Sequence, residues 1–135
     1  SPNDVWAFGF HQSLFGFGQA YQTSALHWDG TAWSVVDTPN VNQQHNYLYT
    51  GVGISADDAW AVGFYDTGQF TIHTLIEHWD GSSWSVVASP NAGDATINEL
   101  TDVAKIGAQA LMAVGQSSGF QGFNTLTERY RNTCS

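Results

Sequence analysis

The chain is poor in positive charge. Lys105, Arg129 and Arg131 are its only strong cations, set against twelve Asp and Glu in 135 residues, for a formal net charge of −9. Neutralising a phosphate backbone takes several cations, so nucleic acid is excluded as a partner, and anionic membrane surfaces with it. Cysteine is nearly missing as well. Cys134 stands alone and cannot close an internal disulfide, which leaves it as a staple to some other segment or as a free thiol. No apolar run approaches the ~20 residues of a spanning helix, and no charged-then-apolar leader stands before Ser1, so a soluble chain without membrane insertion is expected. Sustained helical periodicity is also lacking, which points to strands.

Aromatic and apolar residues are plentiful. At 42% apolar and 14% aromatic, the chain has enough to bury a core as a single domain over 1–135. Much of this content recurs. His27–Asn40 reads HWDGTAWSVVDTPN and His78–Asn91 reads HWDGSSWSVVASPN, 51 residues apart. An eroded third copy, Leu126-Thr-Glu-Arg-Tyr-Arg-Asn132, aligns with Leu75-Ile-Glu-His-Trp-Asp-Gly81 at the same spacing. A second series is Trp6–Phe10 (WAFGF), Trp60–Phe64 (WAVGF) and Met112–Gln116 (MAVGQ), and a third is Tyr49–Val52 (YTGV) with Leu100–Val103 (LTDV).

Each full unit contains four short strand-like segments, A to D. In the middle unit they are Leu48–Ser55, Ala59–Tyr65, Thr71–Trp79 and Ser83–Ala88, separated by Asp-Asp, Thr-Gly and Asp-Gly turn formers. Four strands in about 50 residues is the period of a β-propeller blade of kelch-like length. In Trp60-Ala-Val-Gly-Phe64, strand alternation places Trp60, Val62 and Phe64 on one face and Ala61 and Gly63 on the other. Both faces are apolar, one bulky and one small, as stacked blades require; a one-sided sheet would alternate apolar with polar. The expected fold is therefore an all-β propeller with four-stranded antiparallel blades.

The series Asp4-Val-Trp-Ala-Phe-Gly9 and Asp58-Ala-Trp-Ala-Val-Gly63, joined to HWDG-x-x-WSVV-x-x-PN, resembles tandem propeller repeats of secreted or surface proteins of bacteria such as chloroflexi and actinobacteria. That resemblance spans essentially the whole chain and implies a propeller, with no settled activity attached. The last unit departs from it, with Met112 in place of Trp, and Arg129, Tyr130, Arg131 and Asn132 in place of His, Trp, Asp and Gly.

The strand inventory is BCD, ABCD and ABC, about two and a half blades, over 1–38, 47–89 and 98–135. Two and a half blades do not close a ring, since propellers run from four to eight. The remaining blades come either from a longer chain, the preferred reading, or from further copies.

HWDG sets a histidine beside a carboxylate, the makings of a general base or a metal ligand. Its repetition argues for architecture instead, because a catalytic site is usually unique, and the two histidines are expected to satisfy backbone or neighbouring-blade hydrogen bonds. Asp29-Gly30 and Asp80-Gly81 read as tight C–D turns, and Asp57-Asp58, with Asp4, as capping the A–B turn through side-chain to backbone hydrogen bonds. Glu77 and Glu128 mimic a glycosidase pair but occupy equivalent positions in neighbouring units, where a structural or solvated role is expected. Two arginines are too few for a sialidase-like carboxylate site. No loop spells a calcium site, and neither cofactor nor metal is expected.

The A–B and C–D turns share one end of an antiparallel unit, and the B–C and D–A connections the other. The second end receives the long, variable segments 10–24, 64–73 and 116–125 and the D–A stretches VNQQHNY and NAGDATINE. Candidate ligand-binding residues there are Phe15, Phe17, Tyr21, His45, Tyr47, Tyr65, Phe70, His73, Phe120 and Phe123, aromatics able to stack on sugars or anchor a protein. The competing reading is that they fold back over the sheet ends. A non-catalytic module binding glycan or protein at an extracellular or cell-surface location is expected; a structural or assembly component comes second, and a propeller enzyme such as a glycosidase third.

Overall fold

The computed structural model describes residues 2–13, 19–108, 110–120 and 122–131. Phe15, Phe17 and Cys134 lie outside the described residues. The fold is all-β, with ten strands among the described residues: β1 Val5–Ser13, β2 Ala20–Trp28, β3 Trp33–Val36, β4 Asn46–Ser55, β5 Asp58–Asp66, β6 Ile72–Trp79, β7 Trp84–Val86, β8 Ile97–Gly107, β9 Ala110–Gly119 and β10 Gly122–Arg131. Two sheets result. One is three-stranded, β1-β2-β3, and the other is a mixed seven-stranded sheet in the order β10-β9-β8-β6-β5-β4, with β7 on β6.

Within the large sheet, β4 to β7 run antiparallel in succession, and so do β8 to β10. The two runs meet at one parallel bridge, Ile72 with Ile97. The expectation of separate four-stranded sheets is thus met in the middle unit's strand order but not in the sheet as a whole. No closed ring forms among the described residues.

Alternation along the strands produces two cores. Ala59 and Ala61 lie on the small face of β5 and receive Trp6 and Phe8 from the first unit, together with Ala25, Leu48, Leu75 and Trp84. Trp60 and Val62, on its bulky face, pack with Ile76, Leu100, Val103, Leu111 and Ala113 toward the last unit. Bulky side chains therefore meet small ones between successive layers.

Local chemistry sets where strands stop. The Asp29 carboxylate accepts the backbone N–H groups of Thr31 and Ala32 at 2.8 and 2.9 Å, and Asp80 accepts those of Ser82 and Ser83, both at 2.9 Å. Gly30 and Gly81 follow at φ 94°, a left-handed conformation that glycine adopts without penalty. A Cβ on Gly81 would also lie 2.8 Å from Asp57 Cβ, so the C–D turn rests on the A–B turn. The Ser82 hydroxyl and these amides hold Asp80 down at about 2.

Strands β3 and β7 end at Val36 and Val86, a few residues before Pro39 and Pro90, which have no N–H to carry a ladder further. The chain then folds back over the unit's own C strand. Thr23 N–H donates to Asn40 Oδ1 at 3.0 Å, and its hydroxyl to the Pro39 carbonyl. Thr74 repeats this with Asn91, at 3.0 Å, and Pro90. The recurring Pro-Asn is a latch on a buried threonine.

Candidate functional site

The His-Asp theme of HWDG resolves into a side-chain pair within each unit. His78 Nε2 lies 3.0 Å from Asp58 Oδ1, which also accepts Trp60 Nε1–H at 2.8 Å, and the Trp60 ring tilts over His78 at 4.3 Å. His27 and Asp4 repeat the pair at 2.8 Å beneath Trp6 at 4.5 Å. The sequence expectation that these histidines bond backbone or a neighbouring blade is thus corrected: they tie strand C to the A–B turn of their own unit. Likewise Asp58 binds side chains rather than capping backbone, because the adjacent strand brings His78 to it. Two copies of one arrangement, each filled by its own histidine, are an architectural device.

The paired glutamates are buried, not solvated. Glu77 has no solvent exposure and no hydrogen-bond partner on either carboxylate oxygen among the described residues, and desolvation raises its pKa to about 8. Glu128 accepts hydrogen bonds from Ser89 at 3.0 Å and from the Tyr130 hydroxyl. Burial first, and the Glu128 carboxylate second, push the Tyr130 phenol upward. The two units differ because a tryptophan, Trp79, stands where Tyr130 stands, and its indole N–H bonds Ala56 O at 3.1 Å.

At the opposite end, the B–C and D–A segments are knitted together. His45 accepts the Tyr21 N–H on Nδ1 at 3.1 Å, its carbonyl accepts the Asp66 N–H at 2.7 Å, and Asn42 Nδ2 donates to Asp66 O at 2.8 Å. Asn46, fully buried, holds this D–A loop through Val41 N–H, Asn42 O and Gln44 O. Asn98 does the same for the next D–A loop through Ala92 N–H and Ala95 O.

Three predicted residues, Tyr21, His45 and Tyr47, come together here. Tyr21 is 5.5 Å from His45 and 5.6 Å from Tyr47. Phe10 and Phe64, not singled out from sequence, complete the cluster at 4.7 and 4.6 Å from Tyr47. Their fifth place in the WAFGF and WAVGF series was the available signal, and it read as strand core. Tyr65 and His73 form a separate pair, with the hydroxyl 3.3 Å from Nδ1.

The predicted long B–C loops are mostly strand. β5 and β6 extend to Asp66 and from Ile72, and β9 and β10 to Gly119 and from Gly122. Phe123 is therefore a strand residue opposite Ser118 rather than a loop residue, since the hydroxyl-rich arms continue the ladder. What remains is hairpin tips, and these carry Phe70 and Phe120 essentially fully exposed, at 98% and 106%. Gln69 and Phe70 take positive φ, 58° and 61°, which costs energy for side-chain-bearing residues. Asp66 Oδ1 on Gly68 N–H (2.6 Å) and Thr67 N–H on Thr71 O (2.9 Å) hold the turn closed. Beside Phe120 lies a cleft of about 710 Å³ lined by Ala92, Asp94, Ser117 and Asn124. Comparison with known proteins found no matching family model, no matching curated protein and no matching solved structure.

Proposed function

We propose that this chain is a non-catalytic binding module, built as about two and a half blades (BCD, ABCD, ABC) of a β-propeller and recognising glycan or protein at the B–C and D–A end. The observation that carries this reading is Phe70. Two successive left-handed residues hold an aromatic ring wholly in solvent, and strain of this kind persists at ligand clamps where the surroundings impose it. The Phe10–Tyr21–His45–Tyr47–Phe64 ring cluster adds a second aromatic surface at the B–C and D–A end. Phe120, Asp94 and Asn124 add a stacking ring and polar groups at a neighbouring cleft. Such a combination of flat apolar surface and a few polar groups suits sugar rings or a protein anchor.

A non-catalytic reading draws support from the acids. Glu77 is sealed between layers and Glu128 is engaged by Ser89 and Tyr130, so neither meets a substrate. An extracellular or cell-surface setting rests on the acidic, lysine-poor and tryptophan-rich composition. The test is a glycan array probed with the wild-type chain, Phe70→Ala and Phe120→Ala. Wild type is expected to give discrete signals that one or both variants weaken about tenfold, the equivalent of about 1.4 kcal/mol. Signals unchanged in both variants would remove the aromatic tips from the site.

A further inference from the structure

The outer edge of β10 is built like two other edges in the same molecule, and those two are covered. In the first unit the register pairs Phe10 with Thr23 and Trp6 with His27; in the middle unit, Phe64 with Thr74 and Trp60 with His78; in the last, Gln116 with Thr125 and Met112 with Arg129. Thr125 thus stands where Thr23 and Thr74 stand. The latter two are buried beneath a Pro-Asn latch, with the threonine N–H on Asn Oδ1 at 3.0 Å in both. Thr125 is exposed, and among the described residues β10 pairs only with β9.

A ring cluster tells the same story at the other end of the edge. Trp84 of β7 enters between layers, edge-on to Trp6 at 5.1 Å and to Phe8 at 5.4 Å, and 5.9 Å from Trp79. Trp6 and Trp79 are themselves 5.1 Å apart across the layers. Between the middle and last layers the matching pair is Trp60 with Tyr130, at 5.6 Å. The two-ring base that seats Trp84 is therefore repeated beside β10.

We infer that the outer edge of β10 is a docking site for one extended polypeptide strand of the form Trp-Ser-Val-Val-x-Ser/Thr-Pro-Asn. Its tryptophan packs on Trp60 and Tyr130, its backbone continues the β10 ladder, and its asparagine accepts the Thr125 N–H while its proline carbonyl accepts the Thr125 hydroxyl. Strand addition of this kind takes affinity from main-chain hydrogen bonds and specificity from side-chain pockets. Here the specificity lies at the two ends, as far apart in sequence as Trp84 and Asn91. The inference stands on the two filled edges, not on the ligand-binding reading.

The probe is a fluorescent peptide with the sequence of residues 82–92, SSWSVVASPNA, titrated into the full chain and followed by anisotropy, with analytical ultracentrifugation alongside. Saturable one-to-one binding is expected. It should weaken at least tenfold when the peptide residue matching Trp84 or Asn91 is alanine, and likewise against Thr125→Val, an exposed substitution that leaves the protein's own latches intact. Absence of binding, or equal binding of the altered peptides, would overturn the inference. So would a dimer of the chain that Thr125→Val disrupts but the peptide does not dissociate, because a second copy would then own the edge. Glycan binding at the loop end is read separately, so either reading can fail alone.

Discussion

At the scale of the residue, Glu77 is a buried carboxyl with no hydrogen-bond partner among the described residues. Its carboxyl sits in an apolar layer with its pKa raised to about 8 from the ordinary 4.5, because water is excluded and no donor replaces it. Between those two values the folded state holds a proton that the unfolded chain has released. Stability is thus full below the unfolded value, falls as pH rises through the window at up to about 1.4 kcal/mol per unit, and levels off above the folded value. Thermal melts from pH 5 to pH 8.5 are expected to show this decline, and Glu77→Gln to remove much of it. Subtracting the variant curve from the wild-type curve cancels every other titrating group. A difference curve that is flat across the window would deny Glu77 the role. The turn aspartates act in a different range: Asp29, Asp57 and Asp80 are lowered, so their contribution is lost only as pH falls below the ordinary carboxylate range.

At the scale of the element, the glycine of the WAVG and MAVG stretches is explained by the strand beside it. β4 and β8 carry irregularities at Leu48/Thr50 and Leu100/Asp102. There a Cβ on Gly63 would run into the Tyr47 carbonyl, and one on Gly115 into the Glu99 carbonyl. Gly9 has nothing within 4 Å. The same motif residue is therefore indispensable in two units and replaceable in one. Gly63→Ala should cost upwards of about 2 kcal/mol through backbone displacement, whereas Gly9→Ala should be neutral or stabilise by up to about 1 kcal/mol, since glycine weakens a strand interior. Urea denaturation of the two variants checks this, and equal losses in both would show that the adjacent strand is not the cause.

At the scale of the whole molecule, the two cores are separate populations of side chains on opposite faces of the middle layer. Energetic independence is the expected consequence, as in assemblies whose repeats touch only their neighbours. Trp84→Phe in the first core and Val103→Ala in the second should each cost about 1–2 kcal/mol and add to within about 0.5 kcal/mol. Trp84→Phe with Trp6→Phe should not add, because those rings meet edge-on and such pairs couple by about 0.5–1.5 kcal/mol. Double-mutant cycles from chemical denaturation decide the matter; a coupling between Trp84 and Val103 as large as that between Trp84 and Trp6 would mean a single shared core. The layering also leaves its two ends apolar. Trp33 is 51% exposed where the equivalent Trp84 is 6% exposed, for want of a Trp6-like ring against it among the described residues, and exposed apolar surface of this kind marks interaction sites.

Much of the fold was legible in sequence because its determinants are local and repeated. Period-two alternation marked the strands of the middle unit to within three residues, Asp-Gly marked the hairpins, and the 51-residue spacing set which strands are equivalent. The sequence by itself also determined which face of β5 is bulky and which small, since that follows from side-chain volume along one strand. Contacts between elements were decided only in three dimensions. Nothing local announces that Asn40 and Asn91 latch a threonine seventeen residues back, that Phe10, Tyr21 and Tyr47 share one cluster, or that Glu77 finds no partner among the described residues while Glu128 gains two. Each depends on which side chain a neighbouring strand or layer brings within 3 to 6 Å, and that distance is a property of packing, not of spacing along the chain.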